Sequence, residues 1–252
     1  MEDCMSDKAN ARRLGFTLVE LLVVIVIIGA LAAMALTLGP KMMAKSKATE
    51  SMQNIRQIGP LLMTYASEHS MSLPPVYGPV TRPDGTTVDS QWNEVVLSLV
   101  YPNTDPEEFK TQTWWADNKA FLRNPLFKET AKPRGWEPLN PGYAINELIA
   151  RNVEIAAGRP ASSQEQLLAV PVPLAAIDEP NRTPLIAPCD NYYYRYDEEE
   201  ILGFNRGTLK DLMVDGKVPI LFVDNHLETI VPKEYIERQL HFLPRGNLTN
   251  SN

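Results

Sequence analysis

Residues 21–39 form an unbroken run of 19 uncharged, mostly apolar positions, set between a polar head and a long mixed remainder. At 1.5 Å per residue the run extends roughly 28 Å, about the thickness of a bilayer's hydrocarbon core. The pattern therefore predicts a membrane-spanning helix over residues 16–39. The head, residues 1–15, is polar and turns basic at Lys8, Arg12 and Arg13. A cleavable secretory signal is the competing reading, with Ala33-Met34-Ala35 as a small-x-small cleavage site. Two features favour an anchor: the run exceeds a usual signal core, and Glu20 stands near its start, where a carboxylate is expensive.

The apolar pattern changes period beyond Gly39-Pro40. Ala48, Met52, Ile55, Ile58, Leu62, Tyr65 and Ala66 follow one another in steps of threes and fours, which places them on one helical face. Lys45, Lys47, Glu50, Gln53, Arg56, Gln57 and Glu68 fall mostly elsewhere. Residues 40–72 thus read as an amphipathic continuation of the first helix, its stripe packing on a sheet, and Pro74-Pro75 ends it. Pro40 and Pro60 each remove a backbone donor, so kinks or local melting are expected at 39–40 and 59–60.

From about residue 73 the chain reads as turns and short segments, a globular domain over 73–240 with a polar tail at 241–252. Pro83-Asp84-Gly85 is a turn. Trp92–Val100 reads as a short helix, with a strand as the alternative, and Asn118–Leu122 as another short helix after Trp114-Trp115. Thr183–Ala187 reads as a buried strand. Two apolar runs, Val218–Val223 and Leu227–Val231, flank Asp224-Asn225, so they form an antiparallel hairpin, with a type I′ turn expected. The fold class expected is α+β: a long N-terminal helix, its first half transmembrane, packed on a small antiparallel sheet.

Charge and chemistry then narrow the function. The formal net charge is −7, from 31 acidic and 24 basic residues, which argues against a partner bound by neutralising phosphates. No nucleic acid is expected. Cys4 and Cys189 lie far apart, and no paired-cysteine zinc site or H-E-x-x-H spacing occurs. Asp224 and His226 could be drawn as half of a dyad, but residues two apart on a strand share a face without touching, and no G-x-S-x-G elbow supplies a nucleophile. Asp190, Asp197, Glu198, Glu199, Glu200, Asp211 and Asp215 offer hard oxygens for calcium without EF-hand spacing; a solvated face is the plainer account. Tyr192-Tyr193-Tyr194-Arg195-Tyr196 is an aromatic cluster that suits a surface or a strand core equally. No enzyme, cofactor, metal or small-molecule substrate is expected.

Gly15-Phe16-Thr17-Leu18-Val19-Glu20, followed by an apolar helix, resembles the processing motif of type IV prepilins and type II secretion pseudopilins. The resemblance implies that residues 1–15 are a cytoplasmic leader, cut by prepilin peptidase between Gly15 and Phe16, with the new amino group of Phe16 then methylated. It also implies that Glu20 pairs with the Phe16 amino group of a neighbouring subunit and sets the assembly register. Charge counting leaves orientation open, with Lys8, Arg12 and Arg13 before the span and Lys41, Lys45 and Lys47 after it. The motif places the leader in the cytoplasm.

Further along, Tyr143-Ala144-Ile145-Asn146, the stretch VPLAAIDEPNRTPLIAPCD from Val172, and KVPILFVDNHLETI over 217–230 are similar to blocks of the large pilin-like family abundant in planctomycetes. Asn124-Pro125 stands where that family has Cys-Pro, so its cysteine is missing. The implied protein is a single-pass inner-membrane subunit with a periplasmic domain, assembled with like subunits into a pilus or a secretion pseudopilus. The alternative is a membrane-tethered binding protein that forms no filament.

Overall fold

The computed structural model describes residues 17–81, 85–111, 121–126, 142–158, 164–189, 193–194, 215–231, 234 and 238. The chain divides into two compact units, Met1–Met43 and Ala44–Asn252. Helix α1, Leu18–Glu68, is 51 residues long and contributes to both. It runs through Gly39-Pro40 and Gly59-Pro60 without a break, so the local melting expected at those steps does not occur. Proline removes one donor per step, and the bonds of the neighbouring turns still hold the helix together. Within the first unit, Leu18 to Leu38 leaves its large apolar side chains exposed, and α1 is long and apolar enough here to cross a membrane.

In the second unit α1 buries Ser51, Asn54, Ile55, Ile58, Gly59, Leu62, Tyr65 and Ala66. Five of these are apolar residues of the stripe read from sequence, and Ala48 and Met52 are half-buried. The stripe holds because leucine and isoleucine at helical spacing remove water from one face, worth roughly 1.5–3 kcal/mol per fully buried side chain. Ser51 and Asn54 join it despite their polarity because each has a partner: Tyr143 Oη donates to Ser51 O at 3.3 Å and to Ser51 Oγ at 3.1 Å, and Asn54 Nδ2 donates to Arg123 O at 3.1 Å. Burial among these apolar neighbours pushes the Tyr143 hydroxyl well above its ordinary pKa.

The helix ends at Glu68, ahead of the expected Ser72. Ser70 and Met71 take left-handed φ angles of 52° and 55°, and Met71 N–H donates back to Ala66 O at 2.8 Å. That is the 6→1 bond of a Schellman cap, built here without glycine. The stop is therefore in the turn, and Pro74-Pro75 lies beyond it.

The strands fall into three groups. Ser72–Leu73 (β1) pairs antiparallel with Val172–Pro173 (β5), and Tyr77–Thr81 (β2) with Thr87–Gln91 (β3). The main sheet has five strands: Tyr143–Asn146 (β4), Pro184–Pro188 (β6), Tyr193–Tyr194 (β7), Val218–Phe222 (β8) and Leu227–Ile230 (β9), in the order β7-β4-β6-β8-β9. All its pairs are antiparallel except β4–β7, which is parallel. The buried strand expected over 183–187 is β6. Trp92–Val100 is a helix, α2, with the Glu94 carboxylate accepting from Gln91 N–H at 3.1 Å. Two further helices follow, Leu148–Ala156 (α3) and Gln164–Leu168 (α4). The expected helix over Asn118–Leu122 and the Pro83-Asp84-Gly85 turn lie mostly outside the described residues, although Leu122 is fully buried.

Both faces of the main sheet are buried. Ile145, Leu185, Ile186, Leu221 and Val223 join the α1 residues Ile55, Ile58 and Leu62 in one cluster, while Ala144, Ala187, Cys189, Tyr194, Val218, Ile220, Phe222 and Ile230 form a second. The expected hairpin is β8–β9, at one edge of the sheet. Its turn differs from the type I′ expected. Asn225 N–H donates to Phe222 O at 3.0 Å, Phe222 N–H donates to His226 O at 2.9 Å, and Asn225 alone of the loop has a positive φ, 70°. This is a three-residue loop: a type I turn closed by one left-handed residue. The hydrogen-bonded pairs with β9 alternate from Phe222–His226, so Pro219 opposite Thr229 falls at a non-bonded step on that side. On the other side β8 pairs with β6 through Phe222 and Leu221.

Candidate functional site

The first turn of α1 is closed by its own side chains. Thr17 is the residue before the helix, and its C=O accepts from Leu21 N–H at 3.2 Å. Thr17 N–H and Thr17 Oγ1 both donate to Glu20 Oε2 at 2.8 Å, and Glu20 N–H donates to Thr17 Oγ1 at 3.2 Å. The arrangement is a reciprocal capping box: the threonine satisfies an orphan helix donor, and the glutamate satisfies the amide of the cap. The Thr-x-x-Glu spacing of Thr17-Leu18-Val19-Glu20 is the sequence signal of this box, and it goes unseen when Glu20 is weighed solely as a charge. Glu20 is consequently hydrogen-bonded, yet among the described residues no Lys, Arg or His forms an ion pair with it. Gly15 and Phe16 lie outside the described residues.

A second polar group sits at the β8–β9 turn. His226 Nδ1 lies within hydrogen-bonding distance of Asp224 Oδ1, its ring stacks on Phe222 at 4.1 Å between centroids, and its Nε2 is 3.9 Å from Glu228 Oε2. Strand alternation predicts that Asp224 and His226 do not touch. They do, because they occupy the turn, where strand alternation does not apply. Glu228 Oε1 accepts from Arg238 Nη1 at 2.7 Å, and this bond holds the Glu228 carboxyl below its ordinary pKa. The Asp–His pair is open to solvent, and among the described residues no serine, threonine or cysteine side chain hydrogen-bonds to His226. Its contacts are those of a turn clamp: Asp224 Oδ1 also accepts from His226 N–H at 3.2 Å.

Among the described residues no group of three His, Cys, Asp or Glu is placed to hold a metal ion. Of the proposed calcium ligands, Asp215 is described and the rest, Asp190, Asp197, Glu198, Glu199, Glu200 and Asp211, lie outside the described residues, as do Tyr192, Arg195 and Tyr196 of the aromatic cluster. Tyr193 and Tyr194 form β7, with Tyr194 buried.

Residues 10–36 match the family described as the prokaryotic N-terminal methylation motif. This is the prepilin-type signal of type IV pilins and pseudopilins, and the chain carries it together with an α+β architecture consistent with a pilin-like fold. No curated protein and no solved structure matches the chain.

Proposed function

We propose that the chain is a structural subunit of a type IV pilus or of a type II secretion pseudopilus. Prepilin peptidase cuts it between Gly15 and Phe16 and methylates the amino group of Phe16. The mature chain is held in the inner membrane by residues 16–39, with the globular domain in the periplasm, and like subunits assemble through their first helices. Glu20 then pairs with the Phe16 amino group of a neighbour. The observation that carries the reading is the methylation motif over residues 10–36, coincident with an apolar helix that starts at Leu18. Glu20 supports it further: its hydrogen bonds are made to Thr17, and among the described residues no cation forms an ion pair with it. A structural role in place of catalysis fits the same motif.

The test is mass spectrometry of the N-terminus after expression beside a prepilin peptidase. The expected product begins at N-methylated Phe16. A product that begins after Ala35, or an intact leader in the presence of active peptidase, refutes the proposal.

A further inference from the structure

Lys41, Lys45 and Lys47 follow the apolar run directly, and no acidic residue stands between Glu20 and Glu50. All three lie on α1 and are exposed. Among the described residues none of them takes part in an ion pair. Lys41 and Lys45 are one turn apart on the same side of the helix, and Lys47 is about 200° further round from Lys45, so the charges stand on two roughly opposite sides of the helix over roughly 9 Å of its length. Long aliphatic stems let each ammonium reach the polar layer while its methylenes stay beside acyl chains. We propose that these three lysines form a cationic collar that binds the headgroups of anionic phospholipids in the leaflet where the span ends. The inference rests on the membrane reading above.

Phospholipid is the occupant because the lysines begin two residues beyond the last residue of the apolar run, Gly39, at the depth where headgroup phosphates lie when that run fills the hydrocarbon core. A basic residue near an anionic surface gains about 1 kcal/mol, or about fivefold in local lipid enrichment. The collar therefore biases which lipids surround the stored subunit, and it adds an electrostatic term that extraction from the membrane must overcome.

The experiment uses the full chain in vesicles of phosphatidylglycerol diluted into phosphatidylcholine. Spin-labelled forms of each lipid report the fraction whose acyl chains are motionally restricted by the protein. The expected result is a phosphatidylglycerol preference of about fivefold or more, which falls toward parity in the Lys41→Gln/Lys45→Gln/Lys47→Gln variant. Inorganic phosphate should weaken the preference no more than chloride of equal ionic strength. Restricted lipid with no preference for phosphatidylglycerol overturns the collar and leaves the membrane anchor standing. A preference that survives the triple substitution also overturns it, and so does selective loss with phosphate, which would mark a site for the free ion. Absence of restricted lipid of either kind sinks the anchor itself, and the collar with it.

Discussion

Replacing Gly59 with alanine sets two well-measured effects against each other, and the structure decides which prevails. Alanine in a helix interior is favoured over glycine by about 1 kcal/mol. That gain would appear unopposed if nothing approached the helix here. Gly59, however, is buried on α1 where the β8–β9 turn packs against it. A Cβ at this position would overlap Asn225 Oδ1 and stand 3.1 Å from Leu221 Cδ2. The asparagine is exposed and can swing aside, but Leu221 is fully buried in the cluster that joins helix and sheet and has little room to move. Overpacking of this kind costs about 1–3 kcal/mol. The net expectation is a destabilisation of about 1 kcal/mol in spite of the better helix former.

The assay is denaturant unfolding of the full chain in detergent, followed by tryptophan fluorescence, to which the fully buried Trp92 contributes as one of four tryptophans. Gly59→Ala should lower the unfolding midpoint. Gly59→Ala with Asn225→Gly should recover part of the loss, because the overlapping amide is gone and glycine takes the φ of 70° at position 225 without strain. A Gly59→Ala protein more stable than the parent by the whole helix-propensity gain would refute the close approach of turn to helix, and with it the packing of the α1 stripe on this sheet.

Tyr143→Phe removes the donor to Ser51 and should cost about 0.5–1.5 kcal/mol; Ser51→Ala added to it should cost little more, a non-additivity read from a double-mutant cycle in the same unfolding assay. The Glu228–Arg238 bond predicts a pH dependence. Since Glu228 is held below its ordinary range by Arg238, the folded state binds its proton more weakly than the unfolded chain does. Its stabilisation is complete above the unfolded carboxylate pKa of about 4.3 and is lost as pH falls through the lowered value. The pair is more than a third exposed at 36% and 37%, and solvent screening limits it to about 0.2–1 kcal/mol; Glu228→Gln should flatten the acid limb by that amount, and an unchanged limb would contradict it. Glu20→Ala should leave the chain in the membrane fraction and abolish its incorporation into filaments, as read by shearing and immunoblotting; normal incorporation would favour the tethered, non-filamentous alternative.

The sequence made those elements legible whose pattern is carried by many residues at once. The apolar run over 21–39, the stripe through Ile55, Ile58 and Leu62, and the two runs flanking Asp224-Asn225 each set several side chains to one period, and no single misreading could erase them. Elements fixed by a few dihedral angles were not legible. Ser70 and Met71 stop the helix in left-handed conformations that neither residue type favours, so the Pro74-Pro75 pair looked like the stop. The β8–β9 loop kept its asparagine at positive φ but needed one such residue where a type I′ turn needs two. Partners distant in sequence were the least visible: nothing local marks Ser51 and Asn54 as buried, because Tyr143 and Arg123, 92 and 69 residues away, supply their hydrogen bonds.

Thr17 and Glu20 show how one short motif can serve two stages. A glutamate at the head of an apolar helix brings a polar side chain and, when ionised, a charge into a region that tolerates neither well. The capping box deals with the first, since Glu20 Oε2 accepts two hydrogen bonds from Thr17 before any other subunit arrives. It leaves the second untouched, because threonine is neutral. Under the proposed assembly, a neighbour's Phe16 amino group contributes the missing positive charge, and Thr17 holds the carboxylate in place to receive it. Glutamine at position 20 separates the two roles: it preserves an acceptor for the cap and removes the charge. If Glu20→Gln chains form filaments as readily as the parent, hydrogen bonding alone explains the glutamate, and the charge-pairing account is wrong.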